Sequence, residues 1–285
     1  MRVTVSVYGR FHAFDLAREL ERLGALERLI TSYPASIAQR FGIPPERTQS
    51  LLPLEAWGRL TRRLPRGARE LLEPLGHAAF ARWAARCLPE SPEVFVGWSG
   101  SSLAALEAAR RRGALTVLER GSAHIDAQAE LLEQAYASAG LRACLPPASI
   151  AARERAEYQS ADLIAVPSPF VAETFQKRGF SPEKLLINPY GVDLERFRPA
   201  DALPKGLRLL FVGRASIRKG AHLLLEAFAG WRDPQASLTF VGPVEAELEP
   251  YFARWADARV RRIGVVPQAA LAEHYRAANL FCLPS

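Results

Sequence analysis

Residues 211–220 read FVGRASIRKG: an apolar run entering a glycine, a loop with three cations, and a second glycine before an apolar helical pattern. A phosphate group needs close backbone approach, the free N–H groups of a helix start and fixed positive charge, and this segment offers all three. Gly213 lets the backbone come close. Arg214 can clasp phosphate oxygens with its planar fork, and Lys219 adds a compact charge. The order GxxxxGK[ST] is absent, so this is not a Walker A loop. A solvated basic turn is the plainer alternative; the strand-loop-helix setting favours phosphate.

Further chemistry is spread through the first half. Gly9 closes the first strand and is followed by Arg10 and His12. A lone glycine there serves at least as a turn. His124, in ERGSAHI, follows an expected strand at the carboxyl edge of a sheet, where open α/β sheets bind ligands. Its neighbours Glu119, Arg120 and Ser122 make that loop polar, although a solitary histidine is also a common structural residue. Glu119 either orients the loop or meets a sugar or acceptor. Trp98 is either a sugar-facing platform or a core residue.

These residues need strands to position them. Strands are expected at Val3–Val7 and at residues 28–32, 94–97, 115–118, 163–166 and 185–188, with helices at 14–23, 102–112 and from the ERGSAHI loop through residue 137. Gly24 sits where a helix C-terminus wants it. Residues 33–56, with Pro34, Pro44, Pro45 and Pro53, read as looser. An arginine-rich helical stretch follows to Arg86 with Arg59, Arg62, Arg63, Arg66, Arg69 and Arg82, divided by Pro65 and Pro74. It is either an ordinary helix pair with one solvated face or a basic amphipathic surface for an anionic membrane. The rhythm restarts after a proline-bearing linker, with strands at 207–212, 237–241, 260–263 and 280–283 and helices at 221–231, 247–256 and 268–278. The expected architecture is α/β: residues 1–195 as one Rossmann-like domain, 196–206 as linker and 207–285 as a second, both with mainly parallel sheets.

Bulk properties narrow the classes. The chain has 285 residues, 49% hydrophobic and 24% charged, with net charge +7. That is ordinary globular composition with a bias toward phosphate-bearing partners. Cys87, Cys144 and Cys282 are too scattered for a disulfide framework or a metal site, which suits a reducing cytosol. No signal peptide or spanning run is evident, so a cytoplasmic protein is expected, with peripheral contact at the inner face of a membrane left open. The basic residues are dispersed and no nucleic-acid motif is present. The absence of GxGxxG argues against a dinucleotide oxidoreductase.

Taken in order, the motifs resemble glycosyltransferase family 4. The strand ending in Gly213-Arg214 with Lys219-Gly220 five residues on, NPYGVDLERF at 188–197, FVG at 240–242 and the LFCLPS ending are all similar to that family's segments. The resemblance implies a GT-B architecture of two Rossmann-like domains and a retaining transfer of a sugar. The donor would be a nucleotide diphosphate sugar and the acceptor a hydroxyl, in cell-envelope polysaccharide or glycolipid synthesis. The nucleotide sugar would be a substrate, so no cofactor and no metal are expected. It further implies that Arg214 and Lys219 hold the donor diphosphate and steady the leaving nucleotide, that Gly9 lies near the donor phosphates, and that His124 meets the transferred sugar. The first domain would be the acceptor side and the second the nucleotide-sugar-binding domain, with donor and acceptor, which could be lipid-linked, meeting between them.

One departure stands out. The family's E-x(7)-E motif would fall after Ser285, so the resemblance implies a C-terminally truncated chain with an incomplete second domain. Two alternatives follow: a GT-B sugar-nucleotide epimerase, or a non-catalytic nucleotide-binding remnant.

Overall fold

The computed structural model describes every residue except Arg62 and Leu203, with Arg66 described by its backbone alone. Arg62 and the Arg66 side chain, both counted in the arginine-rich stretch, and Leu203 of the expected linker therefore lie outside the described residues. The chain divides into two compact units, one of Met1–Ala129 with Leu145–Tyr190, the other of Glu130–Cys144 with Gly191–Ser285.

In chain order the first seven strands are β1 (Val3–Val7), β2 (Leu26–Thr31), β3 (Thr48–Ser50), β4 (Val94–Trp98), β5 (Leu115–Glu119), β6 (Leu163–Val166) and β7 (Leu185–Ile187). Between them run α1 (Ala13–Arg22), α2 (Ala35–Gln39), α3 (Leu52–Thr61), α4 (Arg66–Arg86), α5 (Leu103–Arg111), α6 (Ile125–Ser138), α7 (Ala148–Ser160) and α8 (Pro169–Gln176). The strands pair in parallel in the order β3-β2-β1-β4-β5-β6-β7. Strand alternation splits the apolar side chains between two layers. Val3, Val5, Val7, Val96 and Val117 pack with Phe14 of α1, while Phe95, Leu118, Ile164 and Val166 pack with Phe80, Leu106 and Tyr158 from α4, α5 and α7.

The second unit repeats the plan. β8 (Arg208–Val212), α9 (Ala221–Ala229), β9 (Ser237–Val241), α10 (Glu249–Trp255), β10 (Val260–Gly264), α11 (Leu271–Arg276) and β11 (Leu280–Phe281) give a parallel sheet ordered β10-β9-β8-β11. Its core joins Phe211, Leu225, Phe228, Phe240 and Phe252. Residues 130–144, read from the sequence as part of the first domain, belong with this unit: Ala135, Tyr136 and Ala139 pack against its core.

Two segments differ from expectation. The proline-bearing region after β2 is not loose but holds α2, a 3-10 turn at Pro45–Arg47 and the edge strand β3. And α4 runs straight through Pro74, where a break was expected. A mid-helix proline costs roughly 3 kcal/mol. Here Pro74 is buried and its carbonyl accepts a bond from Arg153 Nη2 at 3.0 Å, so tertiary packing outweighs the local penalty.

Both sheets reverse their strand order at one point, between β1 and β4 in the first and between β8 and β11 in the second. Connections leave to opposite faces there, which opens a crevice outside the carboxyl ends of the strands. In the second unit the loops after β8 and β9 touch through backbone beside that crevice. Gly242, at φ +132°, would drive a Cβ into the Gly213 carbonyl oxygen. Gly242→Ala therefore combines an unfavourable φ with overlap and should cost the second unit about 2–4 kcal/mol. Urea unfolding followed by hydrogen exchange in β9 checks this; an unchanged midpoint contradicts it.

Candidate functional site

The loop 213–220 leaves β8 at the second sheet's crevice. Gly213 has φ +134°, and its N–H donates to Val241 O at 2.9 Å. Ala215 N donates to Pro243 O and Glu245 N to Ala215 O, at 2.9 and 3.0 Å, which laces this loop to the one after β9. Glu247 fixes it from below, accepting from Ile217 N and from Tyr136 Oη, both at 2.9 Å. Gly220 caps α9 in the left-handed region at φ +63°, with no side-chain cap on the helix start. A Cβ on Gly220 would overlap Pro284 O, so the segment after β11 crosses directly over the helix start.

Arg214 pairs with Glu245. Lys219 reaches Ser285 Oγ at 3.4 Å, and burial, with Arg218 nearby, lowers its pKa. Three of the sequence's site residues, Gly213, Arg214 and Lys219, thus share the one loop that leaves β8 and enters α9. A larger hollow of about 860 Å³ lies at the opposite edge of this sheet, by Trp231 and Arg259, away from the carboxyl ends where such sheets bind ligands.

At the first sheet's crevice, Gly9 has φ +111° and is held by its neighbours. Its N–H donates to Ser32 Oγ at 3.1 Å and its carbonyl accepts from Thr31 Oγ1 at 2.7 Å. Trp98 is 7% exposed, a core member whose edge lines a cavity. Glu119 lies 3.5 Å from His12 Nε2. The His12 ring in turn sits 5.1 Å from the Trp98 ring and 4.5 Å from that of Tyr190. His12 is therefore the histidine standing among Glu119 and Trp98.

His124 is placed differently. It is 4% exposed, its ring turned into the core against Tyr158, Phe175 and Phe180. Its Nδ1 accepts from Asp126 N at 3.2 Å, and burial takes its pKa down to about 4, so the ring is neutral. Apolar packing at α8 and before β7 claims this side chain, which the polar loop around it did not reveal.

Below the crevice lies a buried polar network that sequence reading missed. Arg120 pairs with Glu154 at 2.7 Å and also donates to Ala123 O and Ser99 Oγ. Tyr158 donates to Glu154 at 2.7 Å. Glu157, fully buried, accepts backbone N–H groups of Gly100, Ser102 and Leu103 at 2.5, 2.7 and 3.1 Å. One carboxylate thereby caps α5 and shapes the loop after β4. Burial raises its pKa to about 7 against those bonds. The arginine-rich stretch is a helix hairpin, α3 and α4, whose outward faces carry exposed Leu60, Leu71 and Leu75 beside Arg59, Arg63, Arg82 and Arg86. Among the described residues no helix is long and apolar enough to cross a membrane.

Two parallel sheets, each with a glycine loop at its reversal point, define a chain of two Rossmann-like units of the GT-B kind. Comparison with known proteins agrees: the chain belongs to the glycosyltransferases, with residues 10–191 matching the Glycosyl transferase 4-like domain and residues 206–285 the Glycosyl transferases group 1 model. A D-inositol 3-phosphate glycosyltransferase of Geodermatophilus obscurus is 32% identical over 49% of this chain and 36% of its own length. The putative colanic acid biosynthesis glycosyltransferase WcaL of Escherichia coli K12 is 27% identical over 45% of this chain and 33% of its own. The chain thus spans about a third of the length of the curated relatives it matches. Among solved structures, the fold is shared with Anabaena HepE, crystallised with UDP and glucose, at TM-score 0.64 and 13% identity, covering 99% of this chain and 74% of that one.

The buried groups of the first unit make its stability depend on pH. Burial holds His77 and His124 at about 4, below their ordinary 6.5, so their contribution is present above pH 6.5 and lost as pH falls toward 4. Glu157 works in the opposite sense. Its folded value of about 7 exceeds its ordinary 4.5, so its contribution is full below pH 4.5 and lost as pH rises through 7. Glu157→Gln should therefore steepen the loss of stability between pH 6.5 and 4.5 in urea titrations of the first unit. An unchanged or shallower profile contradicts the assignment.

Proposed function

We propose that this chain carries the nucleotide-sugar site of a glycosyltransferase that moves a sugar from a nucleoside diphosphate donor to a hydroxyl acceptor with retention of configuration. The observation that carries the reading is the loop 213–220 at the reversal point of the second sheet. There Arg214 and Lys219 stand in the loop that leads into α9, whose start has no side-chain cap. Departure of a nucleoside diphosphate places negative charge on its terminal phosphate as the sugar bond breaks. Donors already fixed around that position stabilise the charge without reorganising. Lys219 is well suited to that role, because a partly desolvated ammonium gains more from an arriving anion than a solvated one. Arg214, paired with the half-exposed Glu245, can trade that carboxylate for a bidentate phosphate contact.

The names of the relatives support a hydroxyl-bearing acceptor of the sugar or cyclitol class, and the UDP and glucose bound by HepE support a uridine diphosphate hexose as donor. On this reading Gly9 shapes the first crevice, and Glu119 orients His12 there. Calorimetric titration with UDP is the direct test. Arg214→Ala and Lys219→Ala should each weaken binding by about 10–100-fold, the loss of one charge-assisted contact. Unchanged affinity in both variants overturns the assignment. Turnover of UDP-glucose without any acceptor would instead indicate an epimerase.

A further inference from the structure

The outer side of the α3–α4 hairpin carries a pattern of leucine and arginine that neither crevice uses. We propose that it docks flat on an anionic lipid bilayer, its leucines among the upper acyl chains and its arginines on the lipid phosphates. This goes beyond the transferase reading and does not depend on it.

The pattern follows from helix geometry, in which neighbours on one face recur every three or four residues. In α4, Gly67, Leu71, Leu75, Ala79, Arg82 and Arg86 keep that spacing and are all exposed. The opposite side of the same helix is buried, with Phe80 and Ala84 in the core of the first unit. In α3 and the turn after it, Leu52, Ala56, Arg59, Leu60 and Arg63 are exposed, while Leu54 packs on the core and Thr61 is buried. Leu52, Leu60, Leu71 and Leu75 are thus 51–75% exposed on one hairpin. Single exposed leucines are ordinary, but several gathered on one element mark a contact surface. The 21 residues of α4 give that surface a length of about 30 Å.

The charges name the partner. Residues 52–86 hold seven arginines and three glutamates. The glutamates lie away from the leucine strip. Glu55 and Glu73 line the cavity at Trp98 and pair with Arg59 and Arg69, and Glu70 shares its face with buried Pro74. Arg63, Arg82 and Arg86 form no ion pair among the described residues. An ordinary solvated helix of this chain behaves otherwise: on α1, Arg18 pairs with Asp15 and Glu19, and Arg22 with Glu19. Unpaired arginines beside a leucine strip match phosphate headgroups above acyl chains, because their stems lie along the apolar layer while the guanidinium groups reach the phosphates. A folded protein is the poorer match. Such partners are anchored by aromatic side chains seated in pockets, whereas this outer side is aliphatic, with Phe80 and Trp83 packed on the core.

Co-sedimentation of the full chain with vesicles tests this, using phosphatidylglycerol mixed with phosphatidylcholine against phosphatidylcholine alone. We expect binding to the anionic vesicles, about tenfold or more weaker on the neutral ones. The same loss is expected in Leu71→Gln/Leu75→Gln and in Arg82→Gln/Arg86→Gln, whose side chains are exposed. Arg111→Gln/Arg142→Gln removes the same charge from other exposed positions and should bind as the parent chain does. No binding to anionic vesicles, equal binding to neutral ones, an unaffected leucine variant, or equal loss in the Arg111/Arg142 variant overturns the proposal. So does a chain that ignores vesicles but is dimeric in size-exclusion chromatography and monomeric in Leu71→Gln/Leu75→Gln, which would assign the face to a second copy.

Discussion

A parallel sheet whose strand order reverses cannot close its own carboxyl edge, and both units of this chain are organised by that constraint. At β1 and β4, and again at β8 and β11, successive connections depart to opposite faces and open a crevice outside the carboxyl ends of the strands. Every feature with chemical capacity described above sits at one of these two gaps. Gly9, His12 and Trp98 belong to the first, and Gly213, Arg214, Lys219 and the start of α9 to the second.

The gaps are held open by different means. In the first unit the wall is fixed by buried charge. Glu157 gathers three backbone N–H groups at the start of α5, and Arg120 ties Glu154 to the loop after β5. Buried ion pairs of this kind are weak sources of net stability but severe to break, because the partner left behind is uncompensated. In the second unit the wall is fixed by close backbone approach. Gly242 lies against Gly213, and Pro284 against Gly220, at separations that exclude any side chain. Glu247 adds the carboxylate that anchors both the loop and Tyr136.

Much of this was legible in the residues. The strand, glycine turn and helix start around loop 213–220 were readable because apolar runs and punctuating glycines are local features. The strand rhythm was likewise local, set by apolar runs between turn residues. What stayed hidden was tertiary. Glu154 and Glu157 lie in AARERAEYQS, a stretch that reads as a solvated helix, and only packing reveals that two carboxylates are turned inward. His124 stood in a polar loop, yet three aromatic rings brought from α7, α8 and the segment before β7 enclose it. His12 carried the signal that could have found it, since it follows the glycine turn of the central strand. Pro74 looked like a helix break because the penalty is local and its offset, a bond from Arg153, is not.

The central claim is that the crevice beside Gly213 and Gly220 receives a nucleoside diphosphate. Hydrogen exchange of the chain with and without saturating UDP tests it directly. The account predicts that the amides of residues 213–223 exchange at least about tenfold more slowly when UDP is bound, with little change at the hollow by Trp231 and Arg259. Protection confined to that hollow, or none anywhere in residues 213–223, would contradict it.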